Sequence, residues 1–125
     1  MKLFAMPVRS LNSSVLKWPE PQAVLHALHT WAQDILRSHT EVLRIGYFGS
    51  LATGSWGVGS DLDLVVIVEA DTERFERRGR GFDTLSLPVP VDLLVYTLKE
   101  WARMTEEGRA LKGIVWLQPE VLGTR

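Results

Sequence analysis

The chain has 125 residues and a mass of 14.1 kDa, which suits one domain by the usual range of about 100–200 residues. Its 14 basic and 15 acidic residues give a formal net charge of −1, and 46% hydrophobic against 23% charged residues is the balance of an ordinary globular domain, which argues against wrapping bulk nucleic acid or an anionic membrane by charge alone. The absence of cysteine excludes disulfides, thiolate catalysis and zinc–thiolate sites and makes a cytoplasmic location the simplest expectation, while no apolar run reaches the ~20 residues of a membrane helix.

Residues 1–20 show no sustained period and read as an extended arm. Pro21 suits the first turn of a helix, where its missing N–H needs no partner. Apolar residues then recur at Val24, Leu25, Leu28, Trp31, Ala32, Ile35 and Leu36, the stripe of an amphipathic helix ending near His39. A β-rich run, Val42 to Phe48, predicts a first strand. The stretch from Gly49 to Ser60 contains Gly49, Gly54, Gly57 and Gly59 and predicts a helical turn from Ser50 followed by a loop. Asp61 to Val68 predicts a second strand, apolar on both faces after its first three residues and so central in a sheet. Asp71 is placed to cap a polar helix from Thr72 to Arg78, broken by Gly79-Arg80-Gly81. A third strand is predicted from Val89 to Tyr96. A helix follows from Leu98 to Glu107, with Trp101 and Ala102 inward and Gly108 at its C-terminal end. A short strand, Ile114 to Leu117, precedes a loose tail at 118–125. The fold class is therefore α/β (α+β), one small sheet packed against helices.

Asp61 and Asp63 lie two apart on a predicted strand, so their carboxylates share a face with Cα atoms about 6.5–7 Å apart. Asp92 stands in an otherwise apolar strand, Val91-Asp92-Leu93-Leu94-Val95, where an unpaired carboxylate is costly. If the second and third strands are neighbours, three like charges converge and repel. A divalent cation removes that problem, and magnesium takes a few carboxylates together with phosphate oxygens. Gly49-Ser50 complements this, because free backbone N–H groups at the start of a helical turn, and the Ser50 hydroxyl, suit a phosphate anion. Ser60, next to Asp61, is counted with them as a nucleotide-binding candidate. Metal at one end and polyphosphate at the other is the arrangement of a nucleotidyl transfer site.

Gly49-Ser50, ten further residues, Asp61-Leu62-Asp63 and a later Asp92 on a strand resemble the DNA polymerase β-like nucleotidyltransferase superfamily. The form Phe48-Gly49-Ser50-Leu51-Ala52-Thr53-Gly54 is similar to its minimal branch, many of whose members are antitoxins paired with a HEPN-domain toxin. The resemblance spans roughly Val42 to Tyr96. It implies a nucleotidyltransferase fold with a mixed sheet, magnesium on Asp61, Asp63 and Asp92 (two ions), ATP as substrate, activation of the attacking hydroxyl by Asp92, and a triphosphate held by Gly49 and Ser50. Minimal members often carry arginines where this chain has Leu51 and Thr53, which bears on the substrate more than on the reaction class.

The resemblance makes transfer of AMP from ATP to a hydroxyl of a partner protein, such as a HEPN toxin, the leading expectation. A module that silences its partner by masking alone, and a small-molecule transferase acting on an aminoglycoside-like acceptor, are the alternatives. Neither a membrane nor a nucleic acid is expected as the main partner. His26 and His29, three apart on the first helix, lack an evident third metal ligand and read as a solvated face. Arg74, Arg77, Arg78 and Arg80, interleaved with Glu73 and Glu76, read as a salt-bridged exposed helix. Of the five tryptophans, Trp31 and Trp101 fit helical core stripes, whereas Trp56, in the glycine-rich loop, is expected to be exposed and to mark a binding surface.

Overall fold

The computed structural model describes residues 18–117; the first seventeen residues of the predicted arm and the predicted tail at 118–125 lie outside them. Helix α1, Pro21–Ser38, begins with Pro21 in its first turn behind an extended Glu20, and the His39 N–H closes its last turn on the Ile35 carbonyl at 2.7 Å. Its stripe of Val24, Leu28, Trp31, Ala32 and Ile35 is buried, as the period requires. The strands β1 (Val42–Phe48), β2 (Leu62–Val68), β3 (Val91–Thr97) and β4 (Val115–Trp116) form one mixed sheet in the order β3-β2-β1-β4. β1 pairs antiparallel with β2 and with β4, whereas β2 and β3 run parallel.

Alternation along the strands sorts the sheet into two faces. Leu62, Leu64, Val66 and Val68 of β2 join Ile45 and Val95 in a core under α1, closed at its rim by Phe82, Leu87 and Val89. Each such aliphatic side chain contributes about 1.5–3 kcal/mol when removed from water. Val65 and Ile67 are equally buried but point to the opposite face, which carries the short helix α3 (Leu98–Glu106). Asp63 is therefore a carboxylate in a strand that is otherwise fully buried. α3 is set by a reciprocal cap: Glu100 N–H donates to the Thr97 hydroxyl at 3.1 Å, and Thr97 N–H donates to the Glu100 carboxylate at 2.9 Å.

Four expectations are corrected. The polar helix is a 3-10 helix over Phe75–Gly81, so Gly79-Arg80-Gly81 lie inside it; Asp71 accepts from the Glu73 N–H at 2.8 Å in a turn before it. Arg78 does not belong to an exposed salt-bridged face. It is buried and donates to both oxygens of Glu100, at 2.6 and 2.9 Å, and to the Val95 and Glu73 carbonyls. Ala102 faces water and Trp101 is no more than half-buried, because α3 is short and covers the sheet edge with one side only. Trp56 is half-buried and packs on the core, its indole N–H donating to the Pro19 carbonyl at 2.9 Å; the loop is tied to the entrance of α1. The strands differ from expectation only at their ends: β2 starts at Leu62, β3 at Val91, and β4 spans Val115–Trp116.

Candidate active site

β1 ends at Phe48 and delivers the chain to Gly49, which turns it into the four-residue helix α2, Ser50–Thr53. Gly49 has φ +74°, a left-handed conformation that glycine adopts without steric cost. A β-carbon there would lie 2.0 Å from Asp63 Oδ2. The sequence argument for Gly49, close approach of a phosphate, thus has a second cause: the glycine leaves room for the Asp63 carboxylate itself. The N–H groups of Ser50 and Leu51 lie in the first turn and have no intrahelical acceptor, and no side chain caps that turn. Both the peptide edge and the Ser50 hydroxyl are thus available to an anion beside Asp63.

The parallel register places Asp63 directly against Asp92, so the two carboxylates share the α3-side face of the sheet. Asp61 precedes β2 and is exposed, as is Asp92; Asp63 is half-buried. Burial holds the Asp63 carboxyl above the usual carboxylate range, with Asp92 and then Asp61 adding repulsion. Among the described residues, no lysine, arginine or histidine forms an ion pair with any of the three. Ser60 closes the glycine-rich loop: its N–H donates to the Gly57 carbonyl, and its hydroxyl accepts from the Gly57 N–H, both at 3.0 Å.

Among the described residues, no three histidine, cysteine, aspartate or glutamate side chains come together as a group that could hold a metal ion. Magnesium does not need three, since one or two carboxylates suffice when water and phosphate oxygens complete the shell. The expected convergence of three carboxylates is not met, because Asp61 stands outside β2. The Asp63 and Asp92 pair, two oxygen donors in register and, among the described residues, with no protein cation between them, is what fits such an ion. His26 and His29 remain a helix face. Burial, then His26, pulls His29 below the usual histidine range.

A family model for the nucleotidyltransferase domain matches residues 30–116, from the middle of α1 to β4. A crystal structure of a "putative nucleotidyltransferase" from Sulfolobus solfataricus superposes with a TM-score of 0.61 at 19% identity, covering 80% of this chain and 85% of that one; at that identity it speaks for the fold alone. No curated protein matches the chain by sequence. No helix among the described residues is long and apolar enough to cross a membrane. With the family model spanning the sheet and every candidate site residue from Gly49 to Asp92, the chain belongs to the nucleotidyltransferase domain family.

Proposed function

We propose that this chain is a magnesium-dependent nucleotidyltransferase that moves AMP from ATP to a hydroxyl of a partner protein, and that the partner is a HEPN-type toxin it silences. The observation that carries the reading is the register pairing Asp63 with Asp92 beside Gly49. In this reading, Ser50 and the free N–H groups after Gly49 hold the polyphosphate, and Asp61 and Asp63, with Asp92, hold magnesium. The metal would supply charge neutralisation for the phosphates and for the oxygens entering and leaving phosphorus. The acceptor oxygen attacks the α-phosphorus and forms the new ester bond. The bond from that phosphorus to the bridging oxygen breaks, and pyrophosphate leaves with the electron pair. The hydroxyl proton passes to Asp92, whose exposure places it within reach of an incoming acceptor. Exposure of both Asp61 and Asp92 also favours a hydroxyl on a protein surface over one on an enclosed small molecule.

Incubation with labelled ATP, magnesium and a candidate HEPN protein, read by mass spectrometry for an added AMP, tests the proposal. Asp92→Asn should still bind ATP and partner yet transfer nothing. Transfer at the wild-type rate by that variant removes Asp92 from the mechanism. Protection of cells by an inactive Asp92→Asn protein, expressed at the wild-type level, would replace transfer by masking.

A further inference from the structure

The face of the sheet that carries Asp63 and Asp92 also carries a row of aromatic side chains. Tyr96 lies on β3 at even spacing from Asp92, hence on the same face and about 13 Å farther along the strand. Its ring meets Phe75 at 5.0 Å and Trp101 at 5.6 Å, and Trp101 meets Trp116 edge-on at 5.8 Å. Trp116 reaches this face over Gly46, where a β-carbon would lie 2.8 Å from its ring. At the β3 end the row opens into a cavity of about 410 Å³ floored by Phe75, Tyr96 and Met104 and flanked by Glu100, Arg103 and Arg109. Phe75 is 38% exposed there. The charges do not cancel. Glu100 is neutralised by Arg78, Arg109 leans on the exposed Glu107 at its rim, and Arg103 has no carboxylate partner among the described residues. An apolar floor beside an arginine without a carboxylate partner is the chemistry of an interface anchor pocket, and the charge of Arg103, uncompensated among the described residues, favours an acidic occupant.

We propose that this cavity is the docking subsite for the acceptor: an acidic segment of the partner protein seats an aromatic or aliphatic anchor on Phe75, Tyr96 and Met104 and sets the hydroxyl that is modified near Asp92. The inference rests on the transferase reading above and deepens it. A nucleic-acid strand fits the surface less well. Stacking needs free ring faces, and here the rings are tilted against one another and Trp116 is covered by the Arg44 guanidinium at 3.7 Å.

The probe is a short fluorescein-labelled peptide with one phenylalanine among aspartates and glutamates and one tyrosine at the spacing that separates Tyr96 from Asp92. Fluorescence anisotropy should show salt-sensitive binding, with Kd raised on the order of tenfold by Arg103→Glu or Arg109→Glu. Both positions are exposed, so circular dichroism should be unchanged. A lysine-for-acid version of the peptide should bind much more weakly. Equal binding of the two peptides, insensitivity to both variants, or preferential binding of a single-stranded RNA oligonucleotide would each overturn the docking site. Titration with magnesium and ATP separates the two readings. Failure of wild-type protein to bind nucleotide strikes the transferase reading, whereas intact nucleotide binding without peptide binding strikes only the pocket.

Discussion

At one end of the parallel β2–β3 pair, Asp63 faces Asp92 with no cation of the described chain beside it. At the other end, Arg78 is buried against Glu100 with two hydrogen bonds to the carboxylate and two to backbone carbonyls. One end leaves like charge uncompensated, and burial, then repulsion from Asp92 and Asp61, lifts the Asp63 carboxyl above its usual range. The other compensates charge fully, and Arg78, joined by the Thr97 cap, pulls Glu100 down to about 2. A satisfied charge anchors structure; an unsatisfied pair, with a glycine leaving room for one of its carboxylates, is the pattern of a functional site.

Substitutions should separate the two ends. Asp63→Asn has the largest expected effect on transfer, a fall of roughly 10³–10⁴-fold in kcat/KM, together with a higher Tm at neutral pH without metal, because the folded state no longer carries the repelled charge. A lower Tm would show that Asp63 is structural. Gly49→Ala should follow, with a loss of about 10²-fold, since the new β-carbon displaces the Asp63 carboxylate and small misplacements of reacting groups cost that much. The φ of +74° with ψ −149° at Gly49, a region essentially reserved for glycine, should add about 1–3 kcal/mol of destabilisation. Near-normal activity in Gly49→Ala would sever Gly49 from the site.

Arg78→Met should act on stability. Breaking a buried pair costs about 3–5 kcal/mol, but the Glu100 side chain is 40% exposed and regains water, so about 2–3 kcal/mol is expected. Wild-type protein should also lose the pair's contribution in acid. The folded pKa of Glu100 lies below its ordinary 4.5, so the stabilisation is present above pH 4.5 and drains as pH falls towards about 2. Chemical denaturation across that window should converge the two proteins; a constant gap would locate the stabilisation elsewhere. Smallest is Trp56→Phe, which removes the bond to the Pro19 carbonyl. It should cost about 1 kcal/mol and leave transfer nearly unchanged, whereas a large loss of transfer would make the loop tether part of the site.

Periodicity and spacing determined much of this protein in advance. The α1 stripe, the bounds of β1, the turn at Ser50 and the central position of β2 follow from local pattern, because burial of one helix face or of both strand faces imprints directly on residue order. Asp63 and Asp92 stood out in the sequence for a related reason, as carboxylates interrupting apolar strands, and Gly49 as the glycine that ends the first strand. Tertiary structure alone decided the rest. That Asp63 meets Asp92 depends on β3 lying parallel beside β2, segments far apart in the chain, and which strands become neighbours is not written in local pattern. Arg78 looks like its neighbours Arg77 and Arg80 until a carboxylate from α3 reaches it, and Trp56 looks like a loop residue until Pro19 arrives beneath it. The second role of Gly49, making room for a side chain fourteen positions later, exists only once β1 and β2 lie side by side, because a contact is a property of distance in space and residue order specifies it only through the fold.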